Sequence, residues 1–71
     1  MNYSNETLAS NLRAERARLD ISQEELAARS GVSAASLVKY ESGEMTPGID
    51  KIFSMAAALG CTPNDLCGWS R

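Results

Sequence analysis

The sequence predicts an all-α fold, a compact bundle of five short helices. Three helix-start signals of the same kind recur along the 71-residue chain, and glycines follow three of the predicted helices. No segment alternates apolar and polar residues over the length of a strand. We therefore expect a single domain over residues 1–71, built from helices without a sheet.

The helix starts are marked by an apolar residue followed by Ser or Thr. The hydroxyl of such a residue accepts a hydrogen bond from an amide one turn into the helix, and the apolar residue packs on the fourth helical residue. At Ser22 the third helical residue is Glu25, which predicts a complete capping box. At Thr62 the first helical position is Pro63, where a missing N–H costs nothing. The three pairs are Ile21-Ser22, Val32-Ser33 and Cys61-Thr62.

Glycines mark the predicted ends of the second, third and fourth helices. Glycine adopts the left-handed conformation that ends a helix without a Cβ penalty. Gly31, Gly43 and Gly60 follow segments predicted to be helical over Gln23–Ser30, Ala34–Ser42 and Gly48–Leu59. A first helix is predicted from about Glu6 to Leu19.

Apolar residues at helical spacing predict which side chains form the core. The first helix carries a narrow stripe of leucines, and the fourth has a broader apolar face. Two methionines are predicted to pack against this core. The predicted core and packing residues are Leu8, Leu12, Leu19, Tyr40, Met45, Ile49, Ile52, Phe53, Met55, Ala56 and Leu59.

Composition excludes several classes of protein. No histidine is present, which removes histidine-based catalysis and Cys/His zinc sites, and no glycine-rich phosphate loop occurs. We expect no enzyme activity, cofactor or metal. Cys61 and Cys67 are predicted to be reduced, buried or half-buried apolar residues. Neither a membrane-length apolar run nor a signal peptide is seen, so a cytoplasmic location is expected.

The charge balance argues against nucleic-acid binding. Seven Lys and Arg residues stand against nine Asp and Glu residues, which gives a formal net charge of −2. Domains that bind nucleic acids usually carry a surplus of Lys and Arg. Acids near helix starts are favoured by the helix dipole, however, so net charge is a weak guide to a local surface.

Two of the capped helices form a pattern with functional meaning. They start eleven residues apart, at Ser22 and Ser33, and only Gly31 and Val32 separate the first helix from the second cap. Helices joined by so tight a turn cross at a large angle, which is the helix-turn-helix shape. Val32 and Leu37 are predicted to tie the second of these helices to the core, which leaves its other face free to enter a major groove.

An ordered set of motifs runs through most of the chain. It comprises Ser22-Gln23-Glu24-Glu25-Leu26-Ala27, Gly31-Val32-Ser33, Leu37, Tyr40-Glu41-Ser42-Gly43, Pro47 and Ala58-Leu59-Gly60. From about Leu8 to Leu66, this set resembles the helix-turn-helix family of the phage Cro and lambda-type repressors. The resemblance implies a lambda repressor-like bundle of five helices, with the helix-turn-helix at about residues 23–42, that binds operator DNA as a symmetric dimer.

The resemblance also implies roles for individual residues. Arg16 and Glu41 match a structural salt bridge between the first and third helices, where a charge left alone would cost several kcal/mol. Arg13 and Arg18 are predicted to lie on a solvated face, with a phosphate contact as the alternative. The region around the fourth and fifth helices often forms the dimer interface in relatives, which suggests Leu66, Cys67 and Trp69 as contacts; Trp69 has the alternative of folding back on its own domain. The implied DNA-contacting residues are Gln23, Ser33, Ala34, Ala35, Ser36, Val38, Lys39 and Ser42.

The presumed DNA-reading helix departs from the pattern of its relatives. Ala34 and Ala35 stand where relatives often have Arg, Gln or Asn, which make hydrogen bonds to base edges. Ala34, Ala35 and Val38 are suited instead to packing against thymine methyl groups, and Lys39 is the only long cation on this helix. Specificity for a DNA sequence is then expected to depend on few contacts to bases, on the N-terminal arm that precedes the first helix, or on DNA shape.

These observations leave two classes of function open. The first is a sequence-specific regulator, a repressor or autoregulator, that binds a near-palindromic operator as a homodimer. The second is a protein-interaction module with weak or no DNA binding, or the antitoxin half of a toxin–antitoxin pair. The acidic charge and the alanine-rich helix favour the second class, and the ordered motifs favour the first.

Overall fold

The computed structural model describes residues 5–68 and contains five helices. No strand occurs in this part of the chain, and none of its helices has the length and apolar character needed to cross a membrane. The predicted all-α fold of five helices is thus confirmed. The helices are α1 (Asn5–Leu19), α2 (Gln23–Ser30), α3 (Ala34–Ser42), α4 (Ile49–Leu59) and α5 (Pro63–Cys67).

All three predicted hydroxyl caps are present. Each hydroxyl accepts a hydrogen bond from the amide three residues later, which satisfies a donor that has no partner within the helix. The Oγ of Ser22 lies 3.0 Å from the nitrogen of Glu25. The matching donor–acceptor distance is 3.1 Å both at Ser33 and at Thr62.

The sequence predicted a complete capping box at α2, but the structure has it at α5. The N–H of Thr62 donates to the carboxylate of Asp65 at 2.9 Å, which returns the hydrogen bond that the Thr62 hydroxyl accepts. At α2 the Glu25 carboxylate accepts instead from Nε of Arg29 at 2.9 Å. The two residues are four apart on an exposed face, where such a pair competes with the box for the same carboxylate.

The core is formed by buried apolar side chains from all five helices, and each helix contributes at least one leucine. α1 packs against α3 and α5, and α2 packs against α3 and α4. Tyr40 and both predicted packing methionines join this core, as expected, with Met45 at its margin. The largest fully buried side chains are Leu8, Leu12, Leu26, Leu37, Ile52, Met55, Leu59, Leu66 and Cys67.

The predicted core face of α4 is wrong at two residues. Ile49 is 52% exposed and Phe53 is 56% exposed. One residue step turns an α-helix by about 100°, so Phe53 points well away from its buried neighbour Ile52. Ile49 and Phe53 are four residues apart and share one side of α4, which we call the α4 apolar pair. The true core face is formed by Ile52, Met55, Ala56 and Leu59.

The short helix α5 belongs to the core, which corrects the predicted dimer contacts. Leu66 and Cys67 both have 0% exposure, so neither side chain reaches the surface of the folded chain. Trp69, the third predicted contact, lies outside the described residues. Both cysteines are free, with Cys67 buried and Cys61 half-buried, as predicted. Burial raises the pKa of both thiols, that of Cys61 to about 11.

Candidate nucleic-acid interface

A tight turn joins α2 to α3. Gly31 ends α2 with a φ of 75°, and its N–H donates to the carbonyl of Ala27 at 2.9 Å. A Cβ at Gly31 would meet no atom within 4 Å, so the backbone conformation and not the space requires glycine there. Val32, the next residue, is buried in the core and holds the turn against it.

One face of α3 is buried and the opposite face is exposed. Leu37, Tyr40 and Glu41 are the buried residues of this helix. The side chains predicted to contact DNA come together on the other face, because helical residues three or four apart are neighbours. Ser33, Ala34, Ala35, Val38, Lys39 and Ser42 are exposed, and Ser36 is partly buried.

Polar groups at both ends of this exposed face have partners within the helix. Besides the cap at Ser33, the hydroxyl of Ser42 donates to the carbonyl of Lys39 at 3.0 Å. The Lys39 ammonium, in contrast, forms no ion pair with any residue in the described part of the chain. Lys39 is therefore available to a ligand outside the protein.

A buried carboxylate fixes α3 to α1. The Oε2 of Glu41 lies 2.8 Å from Nε of Arg16, and the Oε1 lies 3.0 Å from Nη2, so the predicted pair is present and bidentate. The Glu41 side chain is only 3% exposed. The hydrogen bond to Glu41 raises the pKa of Arg16, and the nearby negative charges add to this against the opposing effect of burial.

The same carboxylate also holds Gln23, which the sequence did not reveal. Nε2 of Gln23 donates to Oε1 of Glu41 at 3.0 Å. Because a carboxylate only accepts hydrogen bonds, this contact orients the amide with its NH₂ group towards Glu41. The carbonyl oxygen and the second N–H of the amide remain for other partners. A phosphate contact by Gln23 stays a prediction, and it must use that second N–H.

Residues 12–66 match the family model of the helix-turn-helix family HTH_3. The chain belongs to this family. Among curated proteins, it is similar to the uncharacterized HTH-type transcriptional regulator y4dL of Sinorhizobium fredii, with 39% identity over 59 residues. That match covers 83% of this chain and 30% of the relative, so the chain spans less than a third of the relative's length.

Solved structures show the same lambda repressor-like fold. The restriction-modification controller protein C.AhdI from Aeromonas hydrophila has a TM-score of 0.84 and 29% identity, over 87% of this chain and 94% of the controller. The DNA-binding domain of the P22 C2 repressor has a TM-score of 0.81 and 30% identity, over 96% of this chain and 88% of that domain. The chain therefore contains a helix-turn-helix domain of the kind found in these transcriptional regulators.

Two arginines that we predicted to be solvated have structural roles in this HTH_3 fold. Nη1 of Arg13 donates to the carbonyl of Glu41, near the end of α3. Nη2 of Arg18 donates to the carbonyl of Leu59, the last residue of α4, at 3.0 Å. Carbonyls at helix ends lack partners within the helix, and arginine satisfies them while its charge favours the dipole. No local sequence signal identifies these contacts, which join residues far apart in the chain.

Proposed function

We propose that this chain is a sequence-specific regulator that binds a near-palindromic operator in double-stranded DNA as a homodimer. The observation that carries the proposal is the exposed face of α3, held outward by the burial of Leu37, Tyr40 and Glu41. A helix presented in this way fits the major groove, where base edges are read. The chain would act by occupying a promoter, as a repressor or as an autoregulator.

The N-terminal ends of α2 and α3 are where we expect contacts with DNA phosphates. Free amides and the positive end of the helix dipole at these N-termini favour an anion. Gln23 opens α2 and Ser33 caps α3, so both stand beside these amides. This arrangement supports binding led by helix termini and packing, in keeping with a net charge of −2.

The α4 apolar pair is our revised candidate for the dimer contact. Phe53 and Ile49 are among the most exposed large apolar side chains of the described residues. The pair lies on a helix other than α3, and that helix packs mainly against α2 and α5. A second copy is the occupant that a symmetric operator needs, with two α3 helices in major grooves about 34 Å apart.

The names of two similar structures support a regulatory role of this kind. One is a restriction-modification controller protein and the other is the DNA-binding domain of a repressor. Both share the fold over most of their length, and neither name describes an enzyme. By this similarity we propose that the present chain also has a regulatory role and that its ligand is DNA.

Selection from random duplex DNA at low salt, followed by a salt titration of the best duplex, tests the proposal. We expect an enriched near-palindromic motif, with the logarithm of the binding constant falling by about 0.9 per neutralised phosphate for each unit of log salt. Lys39→Ala should weaken binding, whereas Lys51→Ala is a matched control on α4. No enriched motif, or equal affinity for all duplexes, would contradict sequence-specific binding.

The α4 apolar pair also favours a second candidate, a protein-interaction module such as an antitoxin. An exposed Phe and Ile side by side suit an apolar protein partner. Salt dependence separates the two functions, because an apolar protein contact barely changes with salt and phosphate binding falls steeply. A protein partner bound without any enriched DNA motif would support this second function over the first.

A further inference from the structure

The centre of the outward face of α3 is apolar. Ala34, Ala35 and Val38 are exposed, with Val38 at 48%. Val38 lies four residues after Ala34 and three after Ala35, so it neighbours both on the helix surface. Their side chains end in methyl groups, which neither donate nor accept hydrogen bonds. We call these three residues the α3 methyl strip.

The polar side chains around the α3 methyl strip add little capacity for reading bases. The Oγ of Ser33 already accepts from the Ser36 amide, and the Ser42 hydroxyl already donates to the Lys39 carbonyl. Lys39 offers one flexible cation, which suits a phosphate or a guanine but lacks a bidentate geometry. Ser33 and Ser36 can add only single O–H donors that rotate freely. The α3 methyl strip is therefore the part of this face with a fixed preference between bases.

Among the four bases of DNA, thymine alone presents an apolar group, its C5 methyl, in the major groove. Burying the polar edge of another base against methyl groups, without a hydrogen bond, costs free energy. Burying one methyl group against another removes apolar surface from water and is favourable. Both effects favour thymine at the positions that face Ala34, Ala35 and Val38.

We infer that the α3 methyl strip reads the C5 methyl groups of pyrimidines in the major groove. The inference rests on the proposed function and names the chemical group that this helix selects. Thymine carries that methyl in ordinary DNA, and 5-methylcytosine carries it at the same ring position. Cytosine methylation at a contacted base pair therefore strengthens binding relative to unmodified cytosine.

Replacement of single thymines by deoxyuridine in the selected duplex tests the inference, because it removes only the methyl group. Affinity is measured by fluorescence anisotropy at one fixed salt concentration. We expect about a fourfold loss for each contacted methyl, since burial of one such group has about 0.8 kcal/mol of favourable transfer free energy. Deoxyuridine in the flanks outside the motif is the matched control, with no loss expected.

Two further arms identify the protein side and the source of the methyl group. In Val38→Ala the deoxyuridine penalty should shrink at the positions that Val38 faces, while Val38→Thr, which keeps one methyl and the side-chain shape, should retain part of it. Exchange of cytosine for 5-methylcytosine at a contacted position should raise affinity. Val38 is exposed, so both variants should fold, and circular dichroism checks this.

The outcomes separate the inference from the proposed function. Equal affinity for thymine and deoxyuridine duplexes, with an enriched motif still present, overturns the reading of methyl groups and leaves sequence-specific DNA binding intact. An undiminished penalty in Val38→Ala overturns the assignment to this strip. The absence of any selected duplex at low salt overturns the proposed function, and the inference with it.

Discussion

At the scale of single residues, Glu41 organises the helix-turn-helix. Its carboxylate accepts from Arg16 of α1 and from Gln23 of α2, and its backbone carbonyl accepts from Arg13. Three helices are thus joined at one buried residue of α3. Because an ionised carboxylate is only an acceptor, several N–H donors are needed to replace the water that it loses on burial.

Removal of the carboxylate should be costly. We expect Glu41→Ala to lower the free energy of unfolding by about 3 kcal/mol, because Arg16 is left without its partner. A core of this size supplies only about 3–5 kcal/mol, so the variant should be close to unfolded. Urea denaturation followed by circular dichroism measures the change.

The double variant Arg16→Met with Glu41→Met is the control for this prediction. It removes both charges and fills much of their volume, so it should cost less than the sum of the two single changes. Strictly additive costs would show that the pair contributes no coupling. Glu41→Gln gives a milder variant, should the alanine variant fail to fold.

At the scale of helices, most boundaries are set by backbone conformation and caps at the ends. α1 differs from the others because it is followed by Asp20, the one residue other than glycine with a positive φ, 57°, in the described part of the chain. Its carboxylate also lies beside the negative end of the helix dipole. Both the left-handed backbone and the negative charge make Asp20 unfavourable at this position.

Asp20→Gly should therefore stabilise the fold. We expect a gain of about 0.5–1 kcal/mol, or roughly 4 °C in Tm, because glycine adopts the left-handed conformation freely and the unfavourable charge is lost. Differential scanning calorimetry measures the shift. Asp20→Ala separates the two causes, since it removes the charge but keeps a Cβ; an equal gain in both variants would assign the effect to charge alone.

The capping box of α5 predicts a dependence of stability on acid. The Thr62 N–H and then the Thr62 hydroxyl hold the pKa of Asp65 below its ordinary value of 3.8. A carboxyl whose pKa is lowered on folding contributes stability above its unfolded pKa and loses it as the pH falls through the folded value. The contribution is thus complete at neutral pH and is lost as the pH falls below 3.8, through the lower folded value.

Asp65→Asn should reproduce this loss at every pH. We expect the Tm of the variant to lie below that of the parent chain at pH 7, and the difference to shrink as the pH is lowered below 3.8, measured by thermal melts from neutral to acid pH. Thr62→Val should keep most of the acid dependence, because the backbone N–H at position 62 is the larger cause. A constant difference between parent and Asp65→Asn at all pH values would contradict this account.

At the scale of the whole molecule, the two exposed apolar surfaces lie on different helices. The α3 methyl strip lies on the face that we propose contacts DNA. The α4 apolar pair lies on a helix that packs mainly against α2 and α5. The arginines of α1 use part of their hydrogen-bond donors within the fold. Net charge therefore says little about the DNA-facing surface of this chain.

Phe53→Asp should weaken dimerisation without unfolding the chain. The side chain is exposed, so its replacement costs little stability, whereas a charge in an apolar contact between two copies is unfavourable. Analytical ultracentrifugation should show a lower dimer fraction, and affinity for a palindromic duplex should fall at least tenfold.

Val38→Asp is the matched control for this prediction. It places the same charge on an exposed apolar residue of α3, so the dimer should persist while DNA binding is lost. Trp69→Ala tests the remaining contact predicted from the sequence, and a lower dimer fraction is expected there too. An unchanged mass in Phe53→Asp would remove the α4 apolar pair from the interface.

The helix boundaries were predictable because each depends on a few adjacent residues. The hydroxyls of Ser22, Ser33 and Thr62 and the glycine at position 31 act within one turn of the chain, so their effects are readable from spacing alone. The Arg16–Glu41 pair was predictable for a different reason, through the resemblance to a family that has it. Family membership itself followed from motifs in a fixed order.

The sequence by itself determined five helices, the limits of α2 and α3, those of α1 and α4 to within one residue, and the side of α3 that is buried. Only the tertiary structure decided that Phe53 and Ile49 are exposed, that Leu66 and Cys67 are covered, and that Gln23 binds Glu41. Each of these outcomes depends on which helix packs over a given face, and the contacting residues lie far apart in the chain. Local hydrogen bonds define a helix, but packing between helices decides which of its apolar residues remain for a partner.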